Sequence, residues 1–249
     1  MFNQTLSPLK KLSYLLLIAL VVTACNEDVK LNFETQHIET SADAEIAINY
    51  PKAIGTKAVA EKINQKIEHS IANEMNMAET TEHNMSLKDA VSEFDKEYKS
   101  FKNDFQDTSQ KWEVKVDGKV LYESAEVISI SLKSYIDTGG AHGNSRLTYL
   151  NFNPETGALL DEDDIISNPS EFKAVAEKAF KEQTKPENAD ETIEDFFFGE
   201  DFQMPSNIGF SKEGLILLYN NYEIAAYTQG ATKIVLPYNT VKGLLHINP

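Results

Sequence analysis

Residues 138–145 read TGGAHGNS: two adjacent glycines, His142, a third glycine, then Asn144 and Ser145. Three chemistries use such a set. Glycines that lead from a strand into a helix cradle phosphate on backbone N–H groups. A histidine near a serine can take the hydroxyl proton and activate a nucleophile. Glycines also let a chain reverse through left-handed conformations or close backbone approach. The flanks discriminate. EVISISLKSYI before the motif and SRLTYLNFN after it both alternate apolar and polar residues, so both read as strands. Asp137 to Asn144 is then the connection of a hairpin. The phosphate reading fails because the chain leaves into a strand. His142 and Ser145 on one hairpin aim poorly at each other, so Gly139, Gly140 and His142 are expected to be structural. A bulky residue at Gly140 should break the turn if that position has a positive φ. The rival expectation is a peptidoglycan or glycan hydrolase that uses His142 with acidic residues.

Other candidate sites are thinner. His37, His69, His83, His142 and His246 form no pair at helical ligand spacing, and no HExxH occurs. DEDD, residues 161–164, lacks the alternating acids, central glycine and distal glutamate of a calcium loop. It reads as a solvated turn before Ile165 and Ile166. An acid pair for glycoside hydrolysis is easily posed among 39 acids, but spacing in sequence does not give spacing in space. No catalytic residue, metal or cofactor is expected. YNNYEIAAYTQG, residues 219–230, is different, because Tyr219, Tyr222 and Tyr227 crowd a connection between two apolar strands. Tyrosine there either fills the core or anchors a partner with a large ring and a polar tip. Tyr222, Glu223 and Tyr227 are the candidate binding residues.

The elements that must position these groups follow from periodicity. AEIAINYP alternates and reads as a strand ending at Pro51. Val59, Ile63, Ile67, Ile71 and Met75 recur every four residues, one stripe of a helix. Ser86 and Asp89 resemble a capping box that opens a second helix, striped by Leu87, Val91, Phe94, Tyr98, Phe101 and Phe105. WEVKVDGKVLY carries Asp117-Gly118 between alternating runs, a hairpin signal. NPETG reads as a turn closing at Gly157. Asn168, Pro169 and Glu171 mark a helix start. DETIEDFFFGEDF reads as a short helix or ordered loop, GLILLYN and TKIVLPYN as buried strands, and TVKGLL as a last short helix. The order predicts an α+β fold, a mainly antiparallel sheet packed against helices in two closely associated subdomains.

The N-terminus sets the compartment. Lys10 and Lys11 precede a short apolar run, too short to span a bilayer and ordered like a secretory leader. It ends in Val22-Thr23-Ala24-Cys25, which resembles the bacterial lipobox and implies cleavage before Cys25 and lipid attachment to its sulfur. Cys25 is the one cysteine, so no disulfide forms within the chain. Expected segments are a signal peptide over 1–24, a tether over 25–41, an N-terminal companion domain over 42–111 and a C-terminal domain over 112–249. The expected location is the bacterial envelope, at the outer membrane or cell surface rather than the inner membrane, with contact to the bilayer through the lipid alone. Losing the two leader lysines takes the formal charge from −16 to −18. That sign argues against nucleic acid and favours encounter with cationic partners.

The GGAH hairpin, then LNFNPETGALLDEDDII, then EGLILLYNNYEIAAYTQGATKIVLPYNTVKGLL together resemble one family over about residues 112–247. It is the extracytoplasmic domain of unknown function shared by RsiV-type lysozyme-sensing anti-sigma factors and PdaC-type peptidoglycan deacetylases. Gly139 to His142 match its turn, Asn153, Thr156 and Gly157 the next, and Tyr222 to Ala226 and Leu236 to Tyr238 its end. Ala226 departs from the proline frequent there. The resemblance implies a binding or sensing module without catalytic residues. Its expected ligand is a protein such as lysozyme or a cell-wall glycan.

Overall fold

The computed structural model describes residues 31–40, 43–76, 85–184 and 196–249. The leader, Cys25, His83 and the first part of DETIEDFFFGEDF lie outside the described residues. Five strands form one sheet in sequence order: β1 (Asn32–Thr40), β2 (Glu45–Ile54), β3 (Glu113–Glu123), β4 (Ile128–Asp137) and β5 (Asn144–Phe152). Neighbours are antiparallel except β2 and β3. That pair is parallel because two helices intervene in the chain, as a parallel crossover requires. They are α1 (Lys57–Glu74) and α2 (Leu87–Asp104). The four-residue stripe of α1 is buried as its spacing predicts, with Ile63, Ile67 and Ile71 packed among Ile46, Ile48, Val114, Val116 and Ile130 of the sheet. Ser86 caps α2 by accepting from the Asp89 amide at 3.2 Å.

A second core follows. α3 (Glu162–Ile165) and α4 (Pro169–Gln183) precede a three-stranded antiparallel sheet, β6 (Asn207–Phe210), β7 (Leu215–Tyr219) and β8 (Thr232–Leu236). Asn168 caps α4 as its sequence predicts, with Pro169 in the first turn. β7 reads LILLY and is buried at every position. Leu215, Leu217 and Tyr219 join Phe172 and Phe180 of α4 in one core. Ile216 and Leu218 point the other way, onto Tyr149 of β5. Burial on both faces is what a continuous apolar run without alternation means.

The two sheets are joined by polar side chains. Ser129 donates to Asn151 Oδ1 at 2.7 Å and accepts from the Phe210 amide at 3.0 Å. Asn151 Nδ2 donates to the Ile208 carbonyl at 2.7 Å. Asn207 accepts from the Tyr149 amide and donates to the Leu147 carbonyl. Asn220 accepts from the Leu147 amide at 2.8 Å and donates to the same residue's carbonyl at 3.1 Å. Thus β5, the last strand of the large sheet, has its open edge closed by carboxamides instead of a sixth strand.

Several expectations are corrected. The tether assigned to 25–41 contains β1, which pairs with β2 from Asn32↔Ile54 to Thr40↔Ile46. Its polar composition is that of an edge strand, whose Phe33 and Ile38 still pack on the first core. β2 continues through Pro51 to Ile54. Asp117-Gly118 is no turn: β3 runs straight through it, Gly118 opposite Leu132. A Cβ at Gly118 would lie 2.8 Å from Leu132 Cδ2 and 2.9 Å from Pro51 Cδ, so the glycine serves close packing. A boundary at 111/112 would cut the large sheet, since β2 pairs with β3 and the Glu45 amide donates to the Trp112 carbonyl. Residues 31–249 form one compact unit, and its two cores meet at β5 and β6. TVKGLL is not a helix. A 3-10 turn spans Tyr238–Thr240, and Gly243 has a φ of 83°.

Replacing Asn151 by Ala would take the acceptor from the Ser129 hydroxyl hydrogen and the carboxamide donor from the Ile208 carbonyl in a buried seam, while the Phe210 amide stays bonded to Ser129, at a cost of about 2 kcal/mol or more. Urea denaturation monitored by tryptophan fluorescence measures it. A change within about 0.5 kcal/mol, the range of an ordinary surface substitution, would show that the seam does not hold the sheets.

Candidate functional site

The hairpin forms where the alternation predicts it, between Asp137 at the end of β4 and Asn144 at the start of β5. Asp137 Oδ1 accepts from the Gly139 amide at 2.9 Å, which folds the chain back on itself. Its other oxygen accepts from the Tyr135 hydroxyl at 3.3 Å. Burial first, and the Asp137 charge next, push the Tyr135 phenol above its ordinary value. The left-handed glycine is Gly139, with φ 97°. Gly140 has no such φ, and a Cβ there would meet only the His142 carbonyl at 3.8 Å. The expectation about Gly140 is therefore corrected. Gly143 is the tight position instead, because a Cβ there would lie 2.4 Å from Cζ of Tyr135. Gly157 has φ 69° and belongs to another contact, where a Cβ would meet the Val59 carbonyl of α1 at 2.7 Å.

The hairpin brings His142 to the tyrosine loop, 80 residues on. The imidazole stacks on Tyr227 with centroids 4.1 Å apart and planes 17° apart. Tyr222 lies on Tyr227 at 5.2 Å and 32°. Tyr222 Oη meets His142 Nε2 at 3.5 Å. Nδ1 of His142 lies 3.0 Å from the Gly143 carbonyl, which can only accept, so hydrogen bonding assigns the ring proton to Nδ1. The Nε2 lone pair then faces the tyrosine hydroxyl rather than Ser145. Two rings meeting edge to edge against a third make a small platform. Tyr222 is 56 % exposed. The sequence left two readings for the tyrosines, and they divide between them. Tyr219 is buried, its hydroxyl donates to the Gln203 carbonyl, and burial raises its phenol well above the usual range. Tyr222 is exposed and Tyr227 half-buried.

Glu223 is exposed, and its carboxylate lies 3.5 Å from Asn220 Nδ2. DEDD is a structural cap: Asp161 and Asp164 each accept the other's amide at 3.1 Å around α3. Among the described residues no three metal-ligating side chains cluster.

What positions the platform is Asn220, which sequence reasoning missed. Its two bonds to Leu147 fix the start of β5, hence the hairpin, against the residues that follow β7. Buried Ile224 and Ala225 anchor the middle of the loop. The Ile224 carbonyl accepts from the Phe197 amide at 2.6 Å. Tyr222, Phe197 and Phe198 have φ of 69°, 56° and 54°, the non-glycine residues in the left-handed region among those described. Each such residue costs about 1–3 kcal/mol and persists only where its surroundings over-determine it.

Gly139→Ala is expected to destabilise the protein by about 1–2 kcal/mol, the penalty for a Cβ in the left-handed region, and Gly140→Ala by less than about 0.5 kcal/mol. Thermal and urea unfolding of the pair decide it. The reverse order would mean that the turn is held in another way.

Comparison with known proteins places the chain. Residues 38–145 match the family model described as deacetylase PdaC, and residues 163–239 match that of a protein of unknown function, DUF3298. The peptidoglycan-N-acetylmuramic acid deacetylase PdaC of Bacillus subtilis is 29% identical over 161 residues, 62% of this chain and 33% of that protein. The chain thus spans about a third of the length of that curated relative. A DUF3298 family member from Bacteroides fragilis superposes with a TM-score of 0.64 at 20% identity, covering 89% of this chain and 96% of that one. A DUF3298 family protein from Pseudomonas aeruginosa gives 0.61 at 18% identity, covering 87% and 94%. At such identities the likeness is one of fold, and it is the α+β fold described above. The first match runs past residue 111 through β3 and β4 to the hairpin, and the second holds the tyrosine loop, so the platform is built from both. The chain is thus similar to PdaC over its N-terminal part and to DUF3298 over its C-terminal part, and it shares the α+β fold of solved DUF3298 proteins.

Proposed function

We propose that this chain is a non-enzymatic module of the cell envelope that binds cell-wall glycan on the His142–Tyr222–Tyr227 platform. The observation that carries the proposal is the ring cluster itself: three rings from segments 80 residues apart, His142 stacked on Tyr227 and Tyr222 tilted against it, with Tyr222 left open to solvent. A sugar ring has one largely apolar face and a rim of hydroxyls. An exposed aromatic surface edged with a phenol and an imidazole offers stacking to the face and hydrogen bonds to the rim. The kinship with a peptidoglycan deacetylase makes peptidoglycan the first glycan to test.

The hydrolase reading finds less support. A general base must bring its lone pair within reach of a substrate proton, and the Nε2 lone pair of His142 is turned to Tyr222. A protein ligand is the second reading, favoured by the charge of −16, which speeds encounter with a basic protein such as lysozyme. Isothermal titration of residues 26–249 with muropeptides and with lysozyme, at two salt concentrations, separates these readings. On the glycan reading the muropeptide heat survives salt, and a Tyr222→Ala, Tyr227→Ala double variant binds at least about tenfold more weakly, some 1.4 kcal/mol. Binding that only lysozyme shows, or that the double variant keeps, would refute the platform as a glycan site.

Display in the envelope rests on the lipobox ending at Cys25. No helix among the described residues is long and apolar enough to cross a membrane. Cells fed a radioactive fatty acid should label the wild-type protein and not Cys25→Ala. Label retained by that variant would remove the lipid anchor from the proposal.

A further inference from the structure

Phe196-Phe197-Phe198-Gly199 turns the chain through three successive left-handed residues, with φ of 56°, 54° and 87° from Phe197 on. The first has an evident purpose. Phe197 is 4 % exposed, its ring packed within 5.2 to 5.6 Å of Phe180, Phe202 and Tyr219. Phe198 has none. Its side chain is 67 % exposed, the most exposed of the large hydrophobic residues among those described. Asparagine or glycine would take this φ with less strain, and neither would place an apolar ring in water. Folding therefore gains nothing from phenylalanine at this position.

The same combination, a left-handed backbone under an exposed aromatic ring, occurs at Tyr222. The two loops are tied to each other by the bond from the Phe197 amide to the Ile224 carbonyl. Phe198 is one residue from that bond and Tyr222 two residues. Covalent geometry then keeps their Cα atoms within about 18 Å, a span that an oligosaccharide of a few rings can bridge. Strain retained at adjoining exposed positions marks a site of function rather than of folding.

We infer that Phe198 is a further recognition residue, a second aromatic contact that stacks on another sugar of the same glycan chain held at Tyr222. The inference rests on the glycan reading of the platform. It makes the ligand a linear amino-sugar chain rather than a single sugar, because a chain presents one apolar ring face after another and a monosaccharide reaches one contact alone.

The test is titration of residues 26–249 with the N-acetylglucosamine–N-acetylmuramic acid disaccharide and with its tetrasaccharide. Phe198→Gly relieves the backbone and removes the ring. It is expected to melt at or above the wild-type temperature, to bind the disaccharide as wild type does, and to bind the tetrasaccharide about tenfold more weakly. Phe198→Trp, which restores a ring, should restore tetrasaccharide affinity. Unchanged tetrasaccharide binding in Phe198→Gly overturns the inference and leaves the platform standing. Equal loss of both sugars overturns it too, since the variant would then have disturbed Tyr222. A wild-type protein that binds neither sugar removes the glycan reading and this inference with it.

Discussion

The structure depends on one interaction used repeatedly: a side-chain carboxamide standing in for a peptide group at the open edge of a strand. Asn64 of α1 accepts from the amide of Ala53 and donates to its carbonyl, where β2 has run past its pairing with β3. Gln183 at the end of α4 does the same for Val235 of β8, and Asn220 for Leu147 of β5. Asn207 bridges Tyr149 and Leu147. A carboxamide has the same donor and acceptor as a peptide unit, so it ends a ladder without leaving buried groups unpaired. It also denies the edge to another chain's strand. The two sheets lie against each other without merging because asparagines occupy the edge where a further strand would pair.

The site inherits its geometry from that interaction. His142 sits on a hairpin and Tyr222 in an irregular loop, and neither element has a core of its own. Asn220 holds the root of one against the root of the other. The rings then meet because their roots have been brought together, and the strain at Tyr222 is carried by Ile224 and Ala225 buried just beyond it. Since the hairpin and the loop fall in separately matched regions, neither region alone contains the platform.

What could be read from the sequence was local. The four-residue stripe of α1, the caps at Ser86 and Asn168 and the alternation around the hairpin each depend on residues a few positions apart, and each was legible. β1 was not, because an exposed edge strand has the composition of a linker. Asp117-Gly118 misled because a glycine that admits β2 closely looks the same in sequence as one that turns a chain. The carboxamide clamps were hidden for another reason. Asn220 and Leu147 are 73 residues apart, and an asparagine after an apolar run says nothing of the strand edge it will meet. The rings were legible as candidates, but their meeting was not.

β7 has a consequence for how such a protein can change over time. Each of its five residues faces one core or the other, so it has no position at which a substitution is free. The loop after it is the reverse, with exposed residues on both sides of Ile224 and Ala225. Asn220 is the single residue between them. Scaffold and recognition surface can therefore diverge at different rates along neighbouring stretches of one chain, so descendants of this fold could exchange ligands while keeping the strand that presents them.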